Sequence, residues 1–108
     1  MTNLNIWNEI SNIKGRTLKT LDRQKPFEIF AIKANTVIIL PHETRKERPI
    51  PRANFENAYR RLVATGEITR SEIMAEFSEF NPAYIAAILA ELPGVEHSMR
   101  PIKLWITR

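Results

Sequence analysis

The sequence predicts an α+β fold: an N-terminal helix and a small antiparallel β-sheet with a hairpin at 27–40, then a three-helix unit and a final strand at 102–106. Three observations carry this. Residues 27–40 concentrate β-branched and aromatic side chains, which suit a pleated surface. Residues 54–92 repeat apolar side chains at helical spacing and carry two recognisable helix starts. "PIKLWI" alternates Ile102, Leu104 and Ile106 against Lys103 and Trp105, the period of a strand with one buried face. At 108 residues and 44% hydrophobic content, the chain can bury one core. We expect a single domain over 1–108, with a helix and basic hairpin region at 1–52 and a mostly helical region at 53–108.

In chain order, "LNIWNEISNIKG" spaces Ile6, Ile10 and Ile13 along one helical face, and Gly15 suits the left-handed residue that ends such a helix. About three turns are expected. "RTLKTL" fits a short edge strand whose Lys and Arg discourage pairing with other chains. In "PFEIFAIKANTVIIL", Phe27–Ile32 and Val37–Leu40 read as two strands joined at "KAN", where Asn35 tolerates a left-handed backbone. Both faces of this hairpin are apolar, so one should pack on helices and the other under the first helix or a partner chain. "PHETRKERPIPR" reads as a charged loop leading to a short strand at "RPIPR".

"ANFENAYRRLVATGE" sets Phe55, Ala58, Tyr59, Leu62 and Val63 on one helical face, with Gly66 as its stop. "TRSE" is a capping box at Thr69 and Glu72, and Ile68 can staple onto Ile73. The next helix should start with Asn81 as cap, Pro82 in the first helical position and Phe80 stapled onto Ile85. "LPG" ends it.

The succession of a helix from 54 to 65, the short "EIT", helices at 70–77 and 82–92, then "ILAELPGV", a chain reversal and "IKLWI" resembles a winged-helix domain, a variant of the helix-turn-helix. The resemblance covers about residues 54–107 and identifies no narrower family. It implies a DNA-associated role, with the third helix presenting polar and basic side chains to base edges. The residues of that helix read differently: Ile85, Ile88, Leu89 and Leu92 form its buried stripe, leaving Ala83, Tyr84, Ala86, Ala87, Ala90 and Glu91 for the other faces. No Arg, Lys, Gln or Ser is there to read a base, so the helix is expected to pack closely rather than enter the major groove.

The charge lies elsewhere. The formal net charge is +4, with a pI near 9.8. Between Lys14 and Arg61 there are twelve basic and five acidic residues, a local excess of +7, whereas from Leu62 onward acids outnumber bases by two. A phosphate-binding surface should therefore lie in the first half, at Arg16, Lys19, Arg23, Lys25, Arg45, Lys46, Arg48 and Arg52, holding backbone by charge and Arg forks. The bland alternative is ordinary surface charge with local pairs such as Glu56–Arg60.

Chemistry is not expected. There is no cysteine, the two histidines are isolated, the three glycines form no phosphate loop, and the carboxylates are scattered or engaged in caps. We expect no catalytic residues, no metal and no cofactor. No stretch approaches the roughly 18 apolar residues of a membrane span, and the N-terminus lacks a leader pattern, so a cytoplasmic protein without a membrane partner is expected. The sequence thus points to a non-enzymatic nucleic-acid-associated protein, with DNA ahead of RNA as partner. The alternative is a protein-interaction or homodimerisation module that meets its partner through Ala83, Ala87 and Trp105.

Overall fold

The computed structural model describes residues 5–107, so Arg108 and residues 1–4, where no leader is expected, lie outside it. The described residues form a mixed α+β structure of four helices and two antiparallel sheets. Their order is α1 (Ile6–Asn12), β1 (Thr17–Lys19), β2 (Pro26–Ile32), β3 (Thr36–Pro41), β4 (Arg48–Pro51), α2 (Arg52–Thr65), β5 (Glu67–Thr69), α3 (Arg70–Glu76), α4 (Pro82–Leu89), β6 (Val95–Met99) and β7 (Ile102–Ile106).

The first sheet is a meander in the order β1-β2-β3-β4. Its register pairs Leu18 with Phe27, Ile29 with Ile39 and Val37 with Ile50, which gathers these six side chains on one face, all buried. Between Ile29 and Ala31 the register with β3 shifts. Such a bulge puts two successive residues on one side of the sheet: Phe30 and Ala31 stay outside the core while Ile32 packs against it. The hairpin turn does not use a left-handed Asn35; among the described residues, those other than glycine with positive φ are Gln24 and Arg45, in the turns after β1 and β3. The outer face is not covered by the first helix either. Ile6, Ile10 and Ile13 join the same core as the sheet's inner face, and Phe30 remains 49% exposed. Helix α1 is also shorter than expected, ending at Asn12, its start capped by the Asn5 side chain.

Helix α2 buries Phe55, Ala58 and Leu62 and ends at Gly66, whose φ of +88° only glycine adopts without strain and whose N–H donates to the Leu62 carbonyl at 2.8 Å. Strands β5, β7 and β6 form the second sheet, in that spatial order. Strand β6 is absent from the sequence expectation because "VEHSM" buries only Val95 and carries no apolar alternation. The capping box at α3 is present in both directions, with Thr69 Oγ1 accepting from the Glu72 N–H at 3.1 Å and Glu72 accepting from the Thr69 N–H at 3.0 Å.

Helix α4 departs most from its sequence reading. Asn81 makes no side-chain cap, and Phe80, at 78% exposure, staples nothing. The helix ends at Leu89, and its last turn tightens through bonds from Glu91 to Ile88 and from Leu92 to Leu89. Ile85, Ala86, Ala87, Ile88 and Leu89 are all buried. A helix enclosed on every side needs apolar residues all round, with small ones where neighbours approach closely. Ala87, expected on an outward contact face, is 3% exposed and belongs to the core.

Candidate functional site

Where β1 and β2 turn, the start of β4, the first residue of α3 and the first turn of α4 meet, they leave a cleft of about 320 Å³. Its walls hold Arg23, Lys25, Arg48 and Arg70, one carboxylate at Asp22, and the aromatic side of Phe80 and Tyr84. The local structure that places each cation is specific.

Arg23 and Lys25 are presented by a cross-bonded turn. The buried Thr20 accepts at its carbonyl from the Gln24 N–H, donates its own N–H to the Lys25 carbonyl, and accepts at its hydroxyl from the Lys25 N–H, each at 3.0 Å. The Gln24 side chain donates to the Thr20 and Leu21 carbonyls, and Asp22 accepts from the Arg23 N–H at 2.8 Å. These bonds leave the turn little freedom, so its two cations are held at the cleft by the backbone. Lys25 also reaches Glu43 at 3.0 Å, but both side chains are more than half exposed, where such a pair is weak and exchangeable.

Arg48 crosses from the first sheet to α4. Its guanidinium donates to Asn81 Oδ1 at 3.0 Å and lies 5.6 Å from the Tyr84 ring centre, while Tyr84 stands edge-on to the buried Phe27 at 5.1 Å. That bond explains why Asn81 does not cap α4: its side-chain oxygen is turned toward Arg48. The start of α4 consequently has no side-chain cap where it borders the cleft. Arg70 opens α3, a position where the helix dipole disfavours a cation. Its Nε is shielded from solvent and has no hydrogen-bond partner among the described residues.

Of the eight cations expected to form one surface, the cleft gathers Arg23, Lys25 and Arg48, and adds Arg70, which sequence reasoning missed. The other five lie outside it. Arg16 pairs with Glu91 at 3.3 Å. Arg52 is committed to local structure, bonded to Glu56 at 3.1 Å and to the Ala34 carbonyl at 3.3 Å, with its guanidinium 4.5 Å from the Trp7 ring centre. Lys19, Arg45 and Lys46 are exposed. A signal for Arg70 did exist in the sequence, a cation directly after a capping residue, but its position 22 residues beyond Arg48 hid the convergence.

The expected protein-contact residues are dispersed. Ala83 lines the cleft, Ala87 is in the core, and Trp105 pairs across the second sheet with Glu67 and Glu96, which flank it with negative charge. Among the described residues no group of three or more His, Asp or Glu side chains could hold a metal ion, and no helix is long and apolar enough to cross a membrane.

Four cations, one carboxylate, a helix start without a side-chain cap and two aromatic side chains give the cleft a lining that is chemically complementary to an anion carrying a flat apolar group. No family of proteins, no characterised protein and no solved structure matches this chain.

Proposed function

We propose that this chain is a small non-enzymatic nucleic-acid-binding protein that holds the phosphate backbone in the basic cleft. The observation that carries the reading is the convergence of Arg23 and Lys25 from one turn, Arg48 from β4 and Arg70 from α3, three separate segments, on one concavity. Arg52 is neutralised locally by Glu56 and Arg61 by Glu76; the four cations of the cleft share it with one carboxylate, Asp22, and the pair that Lys25 makes with Glu43 is exposed enough for a phosphate to displace.

A winged-helix-like reading of about residues 54–107 belongs to this proposal. It is supported by the order α2-β5-α3-α4-β6-β7 and by the pairing of β5 with the last strand. In that comparison α4 stands where the DNA-reading helix would be, but only its first turn borders the cleft. Contact with backbone at the start of α4, without base reading, fits both facts.

The test is a fluorescence-anisotropy titration of labelled nucleic acid at several salt concentrations. With four phosphate contacts, the logarithm of affinity should fall with the logarithm of salt at a slope of about −3. Replacing Arg23 and Arg70 together by Ala should weaken binding and roughly halve that slope, whereas Lys14→Ala with Lys33→Ala, in the same basic half but outside the cleft, should change little. Binding indifferent to the Arg23 and Arg70 replacements overturns the site.

A further inference from the structure

We infer that the cleft selects single-stranded nucleic acid over duplex, with Phe80 as the platform on which one base stacks; this rests on the backbone-binding reading above. Phe80 is the most exposed large apolar side chain of the described residues, 78% accessible. A ring so placed contributes little to the core, and the staple it could have formed with Ile85 is not made. It stands instead on the wall of the cleft that holds the cations. The spacing of functions matches one nucleotide unit: a charged recess for the phosphate, and beside it an aromatic face for the base. Stacking on an aromatic side chain tolerates any base, because each has a π face. It also requires that the base be unstacked from its neighbours, a state that a strand offers and a duplex withholds.

The surroundings point the same way. An element that reads duplex DNA must protrude into a groove. Helix α4 cannot, since Ile85 to Leu89 are enclosed by the rest of the fold. The cations line a recess rather than a ridge, so they can surround a flexible backbone more completely than the convex edge of a duplex. Asn81, the nearest amide with the chemistry to read a base edge, has its carbonyl oxygen bonded to Arg48. Binding should therefore be stacking-dependent and largely indifferent to base sequence.

The deciding experiment compares a labelled 12-nucleotide strand, the same backbone with abasic sites, and a 12-base-pair duplex, against the full chain and its variants. The chain should prefer the intact strand to the abasic backbone by about tenfold, and to the duplex. Phe80→Ala should remove most of the first preference, and Phe80→Trp should restore it. At 78% exposure this substitution leaves the core untouched, which the circular dichroism of the variant verifies. Equal binding of intact and abasic strands, still weakened by Arg23→Ala with Arg70→Ala, would remove the stacking role and leave the backbone site standing. Loss of every effect of those two arginines would remove the backbone site as well. A duplex bound as tightly as the strand overturns the selectivity. Full competition by millimolar AMP assigns the cleft to a free nucleotide and overturns the strand proposal.

Discussion

Arg70 is costly where it stands, and Arg70→Met should raise stability while weakening binding. Two structural penalties disappear in the variant. One is the shielded Nε without a partner, since leaving a buried donor unsatisfied costs about 1–3 kcal/mol. The other is a cation in the first residue of α3, opposed by the helix dipole by about 0.3–1 kcal/mol. Methionine is close in length to the methylene stem of the half-buried Arg70, so little packing should be lost. The rest of the guanidinium is partly hydrated, and against its lost solvation the net gain should be about 1 kcal/mol. For a chain of this size that is a rise in Tm of about 4 °C, read by thermal circular dichroism at neutral pH. The same variant, titrated with a labelled strand, should lose one phosphate contact and about 0.7 from the magnitude of the salt slope. A fall in Tm of more than about 2 °C would mean that Arg70 holds the fold together and that its position needs no ligand to explain it. A rise in Tm with unchanged binding would retain the local energetics and refute the functional assignment.

Ala87→Glu should put an unpaired carboxylate among Ile85, Ile88 and Leu89 and destabilise the protein by about 3 kcal/mol or more; an unchanged melting curve would place Ala87 on the surface after all. The Arg61–Glu76 contact, at 2.6 and 2.9 Å, should make stability pH-dependent. The guanidinium's hydrogen bonds hold the Glu76 carboxyl below its ordinary value; desolvation opposes them less strongly, and the guanidinium's charge adds a still smaller lowering. A depressed carboxylate stabilises the folded state above the unfolded value, about 4.3, and that contribution is lost as pH falls through the lower folded value. The gap in Tm between the natural chain and Glu76→Gln should thus be present at pH 7 and shrink below about pH 4; a gap that widens in acid would contradict the pairing.

Local chemistry made much of the fold readable in advance. The capping box at Thr69 and Glu72, the stop at Gly66, the strands of the β2-β3 hairpin and the alternation of β7 depend on residues within a few positions of one another, and each stands where the local pattern put it, although the hairpin turns without a left-handed Asn35. The misses share a different origin. Asn81 has every local reason to cap α4, yet a 3.0 Å bond from Arg48, 33 residues earlier, takes its oxygen. Phe80 has a staple partner in sequence and faces outward. Strand β6 carries almost no apolar signal and exists because β7 offers it a partner.

The candidate site divides along the same line. Sequence alone established that positive charge is concentrated before Leu62, that the chain has no cysteine, and that the helix after Pro82 offers no Arg, Lys, Gln or Ser. Composition and short-range pattern contain those facts. Which cations act together is a different kind of fact, because charge is assigned residue by residue whereas a binding surface is defined by distance in space. Chain folding brought Arg23, Lys25 and Arg48 to the same recess as Arg70, spent Arg52 on Trp7 and Glu56, and turned Ala87 inward. The cleft belongs to that packing: its walls come from four segments that no local pattern connects.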